Sequence, residues 1–160
     1  MKNFLKSIVV FIVCSNSVHA LGHGDSFSHS EESTVEVSND LAAKINEAYL
    51  RDVKPIFKKA CFDCHSDYTV YPWYSKIPVI SSIIEEDIEE AKEHLDFTND
   101  YPFVGHSNPI NDLDEIVEEI EAGNMPPLKY KIMHPDSWLS DEEKEAVINW
   151  AKKSMELLSE

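Results

Sequence analysis

The sequence predicts a small all-α domain of about four helices. In several stretches, apolar residues recur at intervals of three and four, which places them on one face of a helix. Residues that favour helix ends bound these stretches, among them a capping box at Ser140 to Glu143 and a glycine at position 123. The sustained apolar and polar alternation of a half-buried β-strand is not seen, so no large sheet is expected.

The first predicted helix begins at Asn39 or Asp40, since both residue types are good N-caps. Apolar residues follow at helical spacing. Pro55 interrupts or restarts the helix, because proline lacks the amide proton that a helix interior needs. The segment over residues 67–78 is aromatic and contains two prolines, which predicts a loop rather than a strand.

A second helix is predicted over residues 78–94, where an apolar stripe lies opposite a series of glutamates. The stripe is expected to be buried and comprises Ile80, Ile83, Ile84, Ile88, Ala91 and Leu95. A third helix is expected to begin at Asn111 or Asp112 and to end at Gly123, a typical C-cap residue. The last helix begins at the capping box and turns Trp150 inward.

The first 20 residues have the composition of an export signal peptide. Lys2 and Lys6 supply a positive start, a short uncharged apolar run follows, and Val18-His19-Ala20 offers a cleavage site. The apolar run is shorter than the roughly 20 residues that cross a bilayer, so no stable membrane span is expected. A lipid anchor at Cys14 is the weaker alternative. We therefore predict an exported, periplasmic protein.

The rest of the chain divides into a leader and one domain. Residues 21–38 are rich in Ser, Gly, Glu and His and lack apolar periodicity, so a flexible leader is predicted. His23 and His29 within it are expected to be solvated rather than to bind a metal. Residues 39–160 have a length that fits one domain.

The chain is strongly acidic, with 30 acidic against 14 basic residues and a formal net charge of −16. Loss of the signal peptide would remove Lys2 and Lys6 and leave about −18. Such a surface argues against nucleic acid and anionic lipid as partners, because both bind positive charge. It suits a basic partner protein or simply keeps the protein soluble.

The run Cys61-Phe62-Asp63-Cys64-His65 is the attachment motif of a c-type haem. Two thiolates one helical turn apart can each add to a haem vinyl group, and the adjacent imidazole can bind the iron from the same side. After removal of the signal peptide, Cys61 and Cys64 are the only cysteines, so no disulfide framework can form. A local disulfide between them would leave His65 unexplained.

A six-coordinate haem iron needs a second axial ligand, and Met125 is the strongest candidate. It lies 60 residues after His65, far enough to reach the opposite haem face, and the two prolines that follow it stiffen the loop. A methionine ligand would raise the reduction potential. The alternatives are an open five-coordinate iron or one of four other side chains, Met133, His134, His106 and His94.

Other residues could contact the haem without binding the iron. Lys129 and Lys131 flank Tyr130 and could compensate the propionate charge, or else be solvated. Aromatic residues could line the haem crevice or donate hydrogen bonds to propionates, namely Trp73, Tyr74, Trp138 and Trp150. For Trp150, on a helical stripe, core packing is the preferred interpretation.

From these residues the chain resembles the haem-binding domain family of exported monohaem proteins, which is related in design to cytochrome c. The resemblance covers most of residues 45–153. The matching residues are, in chain order, Cys61–Ser66, Tyr71–Tyr74, Ile77–Pro78, Glu93–Phe97, Gly123–Pro127, Tyr130, His134–Pro135, Leu139–Asp141 and Trp150–Ala151. It implies a cytochrome c-like helical fold around one covalent haem c. It also implies thioethers at Cys61 and Cys64, with His65 as proximal and Met125 as distal iron ligand.

We therefore expect a monohaem c-type cytochrome that exchanges electrons with a redox partner protein and is not an enzyme. The alternative is a haem-based sensor or small-ligand binder in which a gas displaces Met125. A peroxidase-like enzyme would need an open iron and a distal base, for which His106 is the candidate. A zinc site formed by Cys61, Cys64 and two histidines is the remaining alternative.

Overall fold

The computed structural model describes residues 38–160, so the predicted signal peptide and almost all of the predicted leader lie outside the described residues. Within this range the chain is predominantly helical, and its two strands have only two residues each. The predicted all-α fold is confirmed. No helix in residues 38–160 is long and apolar enough to span a bilayer.

A nearly continuous helical segment leads into the Cys-x-x-Cys-His motif. Its parts are α1 (Asn39–Ala48), a π-helical turn (Tyr49–Val53), α2 (Lys54–Ala60) and the short α3 (Phe62–His65). Ser38 is the N-cap of α1, and its Oγ accepts a hydrogen bond from the amide of Leu41 at 3.3 Å. The helix therefore begins at Asn39, as predicted, but its N-cap is Ser38 rather than Asn39 or Asp40. Pro55 lies in the first turn of α2, as a helix restart requires.

The middle of the chain carries the longest loop of the described residues and the two-stranded sheet. Residues between α3 and α4 form the predicted loop, interrupted by one 3₁₀ turn at Trp73–Lys76. Helix α4 spans Pro78–His94, as predicted. It leads directly into β1 (Leu95–Asp96), which pairs antiparallel with β2 (Val104–Gly105), so that Leu95 lies opposite Gly105.

Helix α5 spans Pro109–Ala122 and begins earlier than expected. The side chain of Asn108 accepts hydrogen bonds from the amides of Ile110 and Asn111, at 3.0 and 3.1 Å, and Pro109 occupies the first helical turn. The predicted caps Asn111 and Asp112 are therefore wrong, because a better cap precedes them.

The remaining elements complete the fold. Gly123 ends α5 with a φ of 73°, the left-handed conformation expected of a C-cap glycine. Helix α6 (Leu128–Met133) was not predicted and is followed by a 3₁₀ turn at Pro135–Ser137. Helix α7 (Asp141–Leu158) begins with the predicted capping box, in which Ser140 and Glu143 bond each other's backbone amides.

The hydrophobic core lies between α5, α7 and the segment formed by α1, the π-helical turn and α2. Its largest buried side chains include Tyr49, Phe57 and Leu113. Trp150 is buried beside them and donates its indole N–H to the carbonyl of Ile45 at 3.3 Å, which confirms the preferred core role. Helix α4 contributes no fully buried residue to this core.

Candidate functional site

A cavity of about 850 Å³ separates α4 from the core. The apolar stripe of α4 lines this cavity through Ile80, Ile83, Ile84, Ile88 and Ala91, and Leu95 extends it. Phe57, Ile116 and Ile120 line it from α2 and α5. The expectation that the whole stripe is buried is wrong for α4 itself, since only Leu95 is buried. The stripe faces a space of the size that proteins use for small molecules and cofactors.

The Cys-x-x-Cys-His motif contributes three side chains to this cavity: Cys61, Cys64 and His65. The amides of Cys64 and His65 both donate to the carbonyl of Cys61, at 3.1 and 3.0 Å, so one tight helical turn presents all three. Both cysteines are free thiols. Burial raises the pKa of Cys61 to about 12 and that of Cys64 to about 11, which keeps both thiols neutral near neutral pH.

The imidazole of His65 is held in one orientation by the strand that follows α4. Its Nδ1 lies 2.8 Å from the carbonyl oxygen of Leu95. Because a carbonyl can only accept, Nδ1 carries the proton and Nε2 keeps its lone pair. Burial lowers the pKa of His65, which favours the neutral ring that binds metals. The ring also packs against Phe97, with centroids 5.2 Å apart.

Met125 reaches the same cavity from the loop after α5. The amides of Asn124 and Met125 both donate to the carbonyl of Glu119, at 3.1 and 3.3 Å, so the loop continues directly from the helix end. Pro126 and Pro127 line the cavity beside Met125, whose side chain remains 39% exposed. The structure therefore brings together the four side chains singled out from the sequence.

A polar network that sequence reasoning missed joins the motif to the Met125 segment. The Tyr130 hydroxyl donates to Oδ2 of Asp63 at 2.7 Å, and Asp63 Oδ1 accepts from the amide of Val70 at 2.9 Å. The Tyr130 ring stacks on His134 at 4.2 Å, and Nε2 of His134 lies 2.7 Å from the Tyr74 hydroxyl. The sequence shows only that polar residues lie within the Cys-x-x-Cys-His motif and in the segment after Met125. Which of these residues pair with each other depends on the fold.

The alternative iron ligands also line the cavity, but two of the three histidines, His134 and His106, already have polar partners, and the ring of His94 packs edge-on against that of His106 at 5.1 Å. His134 is engaged by Tyr74, as described above. Nδ1 of His106 lies 2.9 Å from the carbonyl oxygen of His94, and its Nε2 is 3.4 Å from a carboxylate oxygen of Glu115. Met133 lines the cavity and is half exposed. No group of three or more His, Cys, Asp and Glu side chains within residues 38–160 is arranged to hold a metal ion.

Of the residues considered for propionate contact, Lys129 and Tyr74 line the cavity and the others do not. Lys129 lines the cavity and forms an ion pair with Asp87 at 2.6 Å. The ammonium of Lys131 lies 5.1 Å from the ring centre of Trp138, outside the cavity lining. Tyr74 lines the cavity, whereas Trp138 is exposed, as is Trp73 at 75%.

The lining fits a haem. A flat macrocycle needs mostly apolar walls, which α4 and α5 supply, and its iron needs nitrogen or sulfur donors. A neutral imidazole and a thioether are both present in the lining, together with two thiols. An all-α domain with this site belongs to the class of haem-binding proteins.

Comparison with known families agrees with the chemistry of the lining. A family model described as a haem-binding domain matches residues 24–153. The chain therefore belongs to the haem-binding domain family, and the resemblance noted in the sequence is confirmed. No curated protein and no solved structure matches the chain.

Proposed function

We propose that this haem-binding protein is an exported monohaem c-type cytochrome that carries electrons. The observation that carries the proposal is the convergence of Cys61, Cys64, His65 and Met125 on one apolar cavity, from segments 60 residues apart. When bound, haem supplies an iron that can take up and release one electron.

Cys61 and Cys64 are proposed to attach the cofactor as haem c. Each thiol would add across one vinyl double bond, with its sulfur bonded to one carbon and its hydrogen to the other. This addition is redox-neutral and requires two reduced sulfurs, which agrees with the free thiols of both cysteines. Their position on one helical turn, held by the carbonyl of Cys61, brings both cysteines to the same cavity.

His65 is proposed to be the proximal ligand through Nε2. The hydrogen bond from Nδ1 to Leu95 supports this role, because it selects the tautomer and makes the opposite nitrogen a better donor. Since Leu95 belongs to the β1–β2 ladder, the ring orientation is tied to that ladder.

Met125 is proposed to be the distal ligand. A neutral thioether stabilises the ferrous state and raises the reduction potential. The prolines after Met125 and the helix end before it restrict the loop, so that the sulfur can stay near one position. An electron carrier needs no general base and no substrate pocket beyond this, and therefore we propose no enzymatic reaction.

The partner is proposed to be a basic redox protein in the periplasm. The net charge of −16 favours encounter with a positively charged surface and disfavours nucleic acid. A steep fall of the electron-transfer rate with rising ionic strength would support this partner class. An unchanged rate would contradict it.

The proposal can be tested by voltammetry of the purified holoprotein combined with carbon monoxide binding. We expect a reversible one-electron couple at a positive reduction potential. We also expect slow carbon monoxide binding, because Met125 must leave the iron first. Turnover with peroxide comparable to that of a peroxidase would contradict the electron-carrier role.

A haem-based sensor or small-ligand binder is the second candidate, and one observation favours it. Met125 is 39% exposed and lies on a loop, so an incoming gas molecule could displace it. Rapid, saturating carbon monoxide binding to the native ferrous protein would favour this function over electron transfer.

A further inference from the structure

We infer that Tyr130 and Asp63 are positioning residues, whose hydrogen bond fixes the Met125 loop to the turn that carries Cys64 and His65. The inference rests on the proposed function, in which Met125 is the distal ligand. Neither residue is a proposed iron ligand, and their effect would be exerted through the placement of the Met125 sulfur.

The Met125 loop is held on its N-terminal side by the end of α5. Gly123 adopts the left-handed conformation that stops the helix, and the carbonyl of Glu119 accepts the amides of Asn124 and Met125. These bonds fix the start of the loop to α5. They place no restraint on the residues that follow Met125.

On the C-terminal side, the loop is joined to α6 by a stiff connection. Pro126 and Pro127 each have a restricted φ, and the carbonyl of Pro127 accepts the amides of Tyr130 and Lys131, both at 3.0 Å. A displacement of α6 would therefore displace Met125 as well. Whatever holds α6 in place also positions the sulfur.

Asp63 is a well-placed anchor for α6. It belongs to the same helical turn as Cys64 and His65, and each of its carboxylate oxygens has its own donor, Val70 N–H and the Tyr130 hydroxyl. The stacking of the Tyr130 ring on His134 further limits the directions in which the hydroxyl can point. The bond therefore joins the two sides of the site directly.

The other polar ties of α6 are either more exposed or lack a charged acceptor. The bond between His134, the C-cap of α6, and the Tyr74 hydroxyl is also half-buried, but neither partner is a carboxylate. In the Lys129–Asp87 ion pair the lysine side chain is 62% exposed, so water and salt screen it. The half-buried bond between a neutral hydroxyl and a carboxylate is stronger, because a charged acceptor strengthens it and solvent competes less. We therefore assign the main positioning role to the Tyr130–Asp63 bond.

The test is Tyr130→Phe in the holoprotein, with Tyr71→Phe as the matched control at an exposed tyrosine. At saturating carbon monoxide, the rate of carbon monoxide binding to the ferrous protein is set by the rate at which the Met125 sulfur leaves the iron. In Tyr130→Phe we expect this rate to rise about tenfold, equivalent to about 1.4 kcal/mol, with a lower reduction potential. Tyr71→Phe is expected to match the wild type within twofold.

Three further variants separate positioning from general loss of structure. Asp63→Asn keeps an acceptor oxygen and is expected to give a smaller increase in rate than Asp63→Ala. Lys152→Gln removes the exposed Lys152–Glu121 ion pair, which lies outside the cavity lining, and is expected to change the rate less than twofold. If Tyr130→Phe or Asp63→Ala fails to fold, Asp63→Asn carries the test. A wild-type rate and a wild-type potential in Asp63→Asn would overturn the inference.

Failure of this inference is distinguishable from failure of the proposed function. If the ferric wild type lacks the sulfur-to-iron absorption band, the proposed Met125 ligation is wrong, and the positioning role with it. If the band is present and Tyr130→Phe retains the wild-type rate and potential, only the positioning role is wrong.

Discussion

His65 and Leu95 are joined by a hydrogen bond of 2.8 Å between Nδ1 and a backbone carbonyl oxygen. This bond determines which imidazole nitrogen is available in the cavity. Leu95 also lies opposite Gly105 in the two-residue ladder, so this ladder supports the orientation of the proposed iron ligand.

Covalent attachment is expected to depend on both cysteines. Under denaturing conditions the wild-type holoprotein should retain haem on the chain, and mass spectrometry of the peptide around Cys61 and Cys64 should show the added haem mass. The double variant Cys61→Ala/Cys64→Ala should release its haem on extraction. Haem that is fully extractable from the wild type would contradict the thioether prediction.

Substitution of Gly105 by alanine is expected to destabilise the protein. A methyl group at this position would overlap the carboxylate of Asp112, which is itself buried. Overpacking of this kind costs about 1–3 kcal/mol, and it would also disturb the ladder that holds Leu95. Thermal unfolding of the holoprotein measures the cost, with the exposed Val104→Ala as a neighbouring control. An unchanged melting temperature would show that the Asp112 side chain can move away.

Gly123→Ala tests the end of α5. The added methyl meets no neighbouring atom, but the φ of 73° is strained for any residue with a Cβ. We expect a loss of about 1–2 kcal/mol from backbone strain. Gly123→Asn should lose less, because asparagine tolerates the left-handed region better. Denaturant unfolding of the two variants gives the comparison, and equal losses would contradict backbone strain as the cause.

Stability is expected to fall in acid partly through Glu143. The Lys59 ammonium 2.6 Å away and the Ser140 amide lower the pKa of Glu143 from its ordinary 4.5. A folded-state pKa below the unfolded value gives stability that is complete above about 4.5 and is lost as pH falls through the lower value. Glu143→Gln should therefore show a shallower fall in unfolding free energy below that pH. An identical pH profile in the variant would contradict this contribution.

The features predicted correctly from the sequence are those set by residues that lie within one or two helical turns of each other. The spacing of Cys61, Cys64 and His65 requires only one helical turn, and the capping box at Ser140 depends on residues three positions apart. Helical periodicity likewise located α4. It indicated correctly that one face avoids water, but it could not show that this face lines a cavity, because protein and cofactor cover an apolar stripe equally well.

The interactions missed from the sequence depend on distant residues. The contact of His65 with Leu95 spans 30 positions and involves a backbone atom, which carries no residue-type signal. The Tyr130–Asp63 bond spans 67 positions. Helix α6 has only six residues, too few for a clear period, and the start of α5 was misplaced because Asn108 is a better cap than the residues after Pro109.

The most direct test of the account is the absorption spectrum of the ferric holoprotein in the red, where a sulfur-to-iron band reports methionine ligation. We predict that the wild type shows this band, that Met125→Ala abolishes it, and that Met133→Ala, which alters the other cavity-lining methionine of residues 38–160, retains it. A high-spin wild-type spectrum without the band, or a band that survives Met125→Ala, would contradict the proposed His65 and Met125 ligation.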